Sequence, residues 1–117
     1  MKTYDVHAVS SGAVSARPDR PATALMHDTP DVRLVVFRIE PGQQVAPHTS
    51  PSTVVLSILS GTGVVSDGER DYSVRAGAVV AYMPDEPHGM RALDDPLVIL
   101  ATIAPRPAAV APGGLHR

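Results

Sequence analysis

The sequence predicts an all-β sandwich or barrel. Twelve prolines and nine glycines are scattered along 117 residues, so no long helical stripe survives uninterrupted. Short runs rich in β-branched residues recur instead, and turn chemistry separates them.

In chain order the runs are ATALM (22–26), VRLVVFRIE (32–40), TVVLSILS (53–60), TGVVSDG (62–68), DYSVRAG (71–77), AVVAYM (78–83) and LVILATIA (97–104). Their separators are PGQQ, SGTG, SDGE, RAGA, MPDEP and LDDP. Asp67-Gly68 between two apolar runs is a hairpin signal. Gly42, Gly61, Gly63, Gly68 and Gly77 read as turn residues. Closely spaced strands of this kind suit a sandwich or barrel.

A half-exposed strand should alternate apolar and polar residues. Leu34–Phe37, Val54–Leu56 and Leu97–Leu100 are apolar at every position, so these strands need two dry faces. One face lines the interior. The other calls for a cover: a second copy of the chain, hence an expected homodimer, or alternatively a second sheet or terminal arm.

The chain length suits one domain, 1–117, with a core over about 23–104, an N-terminal arm over 1–22 carrying one early strand, and an extended tail over 105–117. Apolar residues make up 44% and charged residues 19%, enough for a packed core. A net charge of −2, no Lys/Arg block, no Trp and a single Phe argue against nucleic-acid binding. The absence of cysteine excludes disulfides and thiolate metal sites. The start, MKTYDVHAVSSG, has no apolar signal region, and no run approaches a membrane span. The expected location is therefore the cytoplasm, with no membrane partner.

The chemistry centres on two histidines. In PGQQVAPHTSPSTVV, Gly42 opens a turn and His48 follows. On a regular strand the i, i+2 partner of His48 would be Ser50, a poor ligand for a borderline metal. The same face is expected to continue on the next strand through Val54, Leu56 and Ile58, without a carboxylate. In AGAVVAYMPDEPHGM, His88 follows a turn, and Met90 lies two residues on. Val54, Leu56, Ile58 and Met90 are either an apolar pocket wall or ordinary core. Tyr82 either sends its hydroxyl to a cavity or makes a structural hydrogen bond. Arg38 follows the alternation of Leu34 and Val36; it points inward to meet an anionic ligand or emerges into solvent.

At these residues the chain resembles the cupin superfamily, small RmlC-like jelly rolls built as a double-stranded β-helix. The family's first motif runs glycine, five residues, His-x-His, three or four residues, Glu, six residues, Gly. Gly42, His48 and Gly61 fit it, while Ser50 stands at the second histidine and Val54 at the glutamate. The second motif runs Gly, five residues, Pro-x-Gly, two residues or more, then His. Gly68, Gly77 and His88 are matched to it, with six residues in place of five before Arg75, which takes the proline position, and Ala92 takes the place of a later asparagine.

The resemblance implies a jelly-roll barrel with a degenerate metal motif. Metal-binding members use three histidines and one glutamate; here His48 and His88 remain. They imply a divalent transition metal (Zn, Ni, Fe, Cu or Co), weakly held, or no metal at all. Asp85 and Glu86 are expected to face solvent at the barrel mouth, and Glu40, His27 or an exogenous anion are the candidates for a third ligand. The function expected is small-molecule binding in the barrel cavity. The alternatives are a metal-dependent enzyme (dioxygenase, isomerase or lyase), for which His48 and His88 are the catalytic candidates, and a sensor or structural dimer.

Overall fold

The N-terminal segment begins with a helix, where an arm with an early strand was expected. Asp5 is the reason: its carboxylate accepts a hydrogen bond from the Ala8 N–H at 3.1 Å, satisfying one of the donors a helix start leaves open. The helix, α1 (Val6–Ser11), ends at Gly12, whose N–H donates to the Ala8 carbonyl at 3.2 Å. Beyond it the only strand-like pairing in the arm is a single bridge between Val14 and Thr23.

The computed structural model describes residues 1–108. His116 and the expected tail from residue 109 onward lie outside the described residues. The strands are β1 (Ala22–Asp28), β2 (Arg33–Ile39), β3 (Gln44–His48), β4 (Thr53–Ser60), β5 (Thr62–Ser66), β6 (Asp71–Arg75), β7 (Val79–Tyr82), β8 (His88–Ala92) and β9 (Leu97–Ala104).

They form two antiparallel sheets, ordered β1-β2-β9-β4-β7 and β3-β8-β5-β6. Most connections cross from one sheet to the other, which makes this a jelly roll. β3 and β4, expected to continue one face, are not neighbours in one sheet: β4 lies in the facing sheet between β9 and β7. Val54, Leu56 and Ile58 therefore approach the interior from the opposite side to His48.

The core sits between the sheets. β9, flanked by β2 and β4, contributes Leu97, Ile99 and Ala101, all at most 2% exposed. Leu56 and Ile58 of β4, Ile39 of β2 and Val65 of β5 pack with them. Complete burial of such side chains is the main favourable term of the fold, about 1.5–3 kcal/mol for each.

The two dry faces predicted for β2 have different covers. Val35, Phe37 and Ile39 pack toward the core. Val36 is also fully buried, but on the other face, where α1 packs against β1 and β2. The chain's own arm thus closes part of the outer surface. Val55 and Leu100, beyond its reach, stay half-buried. Among the described residues no helix is long and apolar enough to cross a membrane.

Candidate ligand-binding site at two histidines

His48 and His88 meet directly across the β3–β8 ladder. Their ring centroids are 4.1 Å apart, with the planes inclined at 59°. The register that pairs them is irregular. Val45 lies opposite Met90 and His48 opposite His88, so three steps along β3 match two along β8. The extra residue is a β-bulge at Ala46-Pro47, where the missing proline N–H costs no ladder bond. The bulge reverses the alternation and brings His48 to the same side of the sheet as Val45, Met90 and His88.

Backbone carbonyls orient both imidazoles. His48 Nδ1 lies 3.1 Å from the Ala46 carbonyl oxygen, and His88 Nδ1 lies 3.3 Å from that of Glu86. A carbonyl can only accept, so each Nδ1 carries the proton and each Nε2 keeps a lone pair. The rings differ in exposure. His88 is 4% exposed, whereas His48 faces solvent. Burial pushes the His88 pKa down and the neighbouring His48 pushes the same way; the Glu86 carbonyl opposes them.

A pH dependence follows. His88 is neutral in the folded chain near pH 7. Below its ordinary value of 6.5 the unfolded chain takes up a proton that the folded chain resists. This contribution to stability is fully present above pH 6.5 and is lost as pH falls through the lowered folded pKa. Urea unfolding on either side of pH 6.5 checks it: His88→Gln should flatten the acid-side decline. An unchanged slope would place the dependence elsewhere.

Tyr82 stands behind the pair, its ring centroid 5.3 Å from that of His88. Its hydroxyl donates to the Ser66 carbonyl at 2.8 Å, tying β7 of one sheet to the end of β5 in the other. Burial, then Glu86 and Asp67, push its pKa up to about 12. Tyr82 makes the structural hydrogen bond and also lines a second cleft, of about 430 Å³, with Val65, Val80 and Glu86.

Ser50 lies past the end of β3. Its hydroxyl accepts from the Ser52 N–H at 3.2 Å, and its carbonyl accepts from the Asp85 N–H at 2.7 Å. The β3–β4 and β7–β8 loops are thereby joined. Val54, Leu56, Ile58 and Met90 belong to the core cluster, and none of them lines the cleft at His48.

Arg38 is placed elsewhere. It does share a face with Leu34 and Val36, but that face is the outer one. Its guanidinium donates to the carbonyls of Ser10 and Ala13 at the end of α1 and pairs with Glu40 at 3.4 Å. Glu40, a candidate for a third ligand, is thus held by Arg38, and His27, the other, has its Nδ1 2.9 Å from the Tyr4 hydroxyl. Glu86, expected to face solvent, is half-buried instead, because a carboxylate oxygen accepts from the Met83 N–H at 3.0 Å. Asp85 is exposed in the turn. Among the described residues no three His, Cys, Asp or Glu side chains come together as a metal cluster.

His48 opens onto a cleft of about 740 Å³. Gln44–Pro47 of β3 form one wall, Thr23 and Phe37 another, and the loop Ala16–Pro21 a third. Sequence reasoning did not single out Arg17 and Arg20 on that loop. The motif ARPDR carried the charge, but nothing in it said where the arm would lie.

The family model for the cupin domain matches residues 35–103. The chain is a cupin. An RmlC-like cupin protein from Desulfovibrio desulfuricans is 29% identical, with a TM-score of 0.75 over 90% of this chain and 97% of that one. TT1209 from Thermus thermophilus is 25% identical, with a TM-score of 0.80 over 92% and 100%. A predicted oxalate decarboxylase from Thermotoga maritima is 23% identical, with a TM-score of 0.67 over 72% and 79%. A search of curated proteins gives no match. Cupins with this architecture differ in activity, so the fold leaves this cupin's ligand to be argued from its own side chains.

Proposed function

We propose that this cupin binds a small molecule in the cleft at the barrel mouth, with His48 as the exposed polar contact and His88 behind it. One observation carries the reading. Two imidazoles lie 4.1 Å apart with both Nδ1 atoms turned to backbone carbonyls, which leaves two oriented Nε2 lone pairs. Paired neutral acceptors suit a ligand that presents hydroxyl or amide N–H groups. Phe37 and Val45 offer an apolar surface for the rest of the molecule.

The orientation of the rings also favours a second reading. An Nδ1–H fixed by a carbonyl is how proteins hold an imidazole that ligates a metal through Nε2. The donor set is nevertheless short. Ser50 and Val54 bring no nitrogen or carboxylate, so His48 and His88 fit a divalent ion only as two of its ligands, weakly held, with water or the bound molecule supplying the others. Enzymatic proton transfer would fall to the same two histidines, because Tyr82 is committed to Ser66 and its pKa is raised to about 12.

A thermal-shift screen of small organic acids, amides and sugars tests the proposal. A binding compound should lose about tenfold in affinity in His48→Ala and in His88→Ala, and should bind equally after chelator treatment. Binding that vanishes with the chelator selects the metal reading. Binding untouched by both substitutions sinks the proposal.

A further inference from the structure

We infer that the ligand of this cleft is a small organic monoanion, and that Arg20 selects its charge. The inference rests on reading the histidine site as a binding site and goes on to name the class of molecule.

The loop carrying Arg20 is a built wall. The Ser15 hydroxyl lies against the carbonyls of Arg17 and Arg20, with its one proton shared between them, and it accepts from the Arg17 N–H at 3.3 Å. The Arg20 N–H donates to the Arg17 carbonyl at 3.0 Å, closing a tight turn. Gln43 then fastens the turn to the barrel. Its Nε2 donates to the Pro18 carbonyl at 2.8 Å while its Oε1 accepts from the Glu40 N–H at 2.9 Å. Arg17 and Arg20 are thus carried to the cleft on a segment hydrogen-bonded within itself and to the β2–β3 turn.

The two arginines are not equivalent. Arg17 pairs with Asp19 at 3.4 Å, and both line the cleft, so their charges offset each other. Arg20 makes no ion pair among the described residues. The cleft therefore faces its contents with about one uncompensated positive charge, in a chain whose net charge is −2. A carboxylate matches one guanidinium fork, whereas a phosphate dianion would call for a second free cation. With Arg20 and His48 lining the same cleft, the molecule carries a carboxylate at one end and a hydrogen-bond donor toward Nε2 at the other, with an apolar body over Phe37.

Benzoate and its neutral isostere benzamide are the probes, titrated into the full chain and followed through backbone amide NMR shifts and the His48 ring resonances. Benzoate should move the amides of Arg17, Asp19 and Arg20 and of Val45, Ala46 and His48, and should bind about tenfold more tightly than benzamide. Arg20→Gln should bring the two compounds level, whereas removing the offset pair together, Arg17→Gln with Asp19→Asn, should change the ratio much less. Equal affinities in the native chain overturn the charge selection and leave the histidine reading standing. A benzoate preference that survives in Arg20→Gln also overturns it. If benzoate moves neither the cleft amides nor the His48 ring, the monoanion inference falls, while the histidine reading is decided by the wider screen with His48→Ala and His88→Ala.

Discussion

The double substitution Ser50→His and Val54→Glu is expected to turn a weak two-nitrogen site into a tight metal site. Affinity for Zn²⁺ should rise about a thousandfold or more over the native chain. Val54 is 3% exposed and lies opposite Tyr82 in the β4–β7 ladder, and the Tyr82 ring is 5.3 Å from that of His88. A carboxylate introduced there meets the histidines from the facing sheet. Without metal it is a buried acid in an apolar core, and the variant should lose about 2–4 kcal/mol of stability. Zn²⁺ should restore that loss, because binding to the folded form alone is folding free energy. Calorimetric titration and thermal unfolding with and without chelator read both effects. A double variant that binds no more metal than the native chain would show that Ser50 and Val54 do not occupy the missing ligand positions. The single variants separate the contributions: Ser50 sits beyond β3 in a loop tied to Asp85, so its replacement has to draw that loop inward, whereas Val54 already faces the interior.

The second large effect concerns the β4–β5 turn. Gly61 has φ +84°, and a Cβ built on it would stand 2.1 Å from the Pro96 carbonyl oxygen. Backbone lies on both sides of that clash, so no flexible side chain can yield. Gly61→Ala should cost about 3 kcal/mol or more, adding a displaced turn to left-handed strain. Gly77 is the control. Its φ is +96°, but nothing lies within 4 Å of its virtual Cβ, so Gly77→Ala should cost only about 1–2 kcal/mol. Urea denaturation of the two variants measures the difference. Equal losses would mean that backbone conformation alone, and not the approach to Pro96, makes glycine necessary at 61.

The strands were legible because their side chains advertise them. LVILATIA and TVVLSILS became β9 and β4 with the bounds read from the sequence. Burial on both faces of Val35–Phe37 was legible too, although α1 supplies part of the second cover. The helix itself was announced only by Asp5 and Gly12, a cap and a stop seven residues apart, and six residues give little room for periodicity. The histidine pair was legible as two positions in two motifs. Its geometry was not, because simple alternation along β3 cannot see a bulge, and which strands become neighbours in a sheet depends on topology. Arg38 kept two readings, inward and outward, for a related reason: alternation tells which residues share a face but not which face is inside. Arg17 and Arg20 were unreadable as site residues because their place depends on Ser15 and Gln43 fastening a loop, a tertiary event with no local signature.

The extra residue in β3 has a consequence for chain length. Inside and outside are assigned along a strand by odd and even steps, and the bulge at Ala46-Pro47 changes that parity once, just before His48. The spacing from Gly42 to His48 therefore records an irregular ladder. A gene that gained one codon there would keep every side chain of the site and still send the imidazole of His48 to the wrong side of the sheet. In this stretch the length of the peptide carries as much of the chemistry as the identity of its residues.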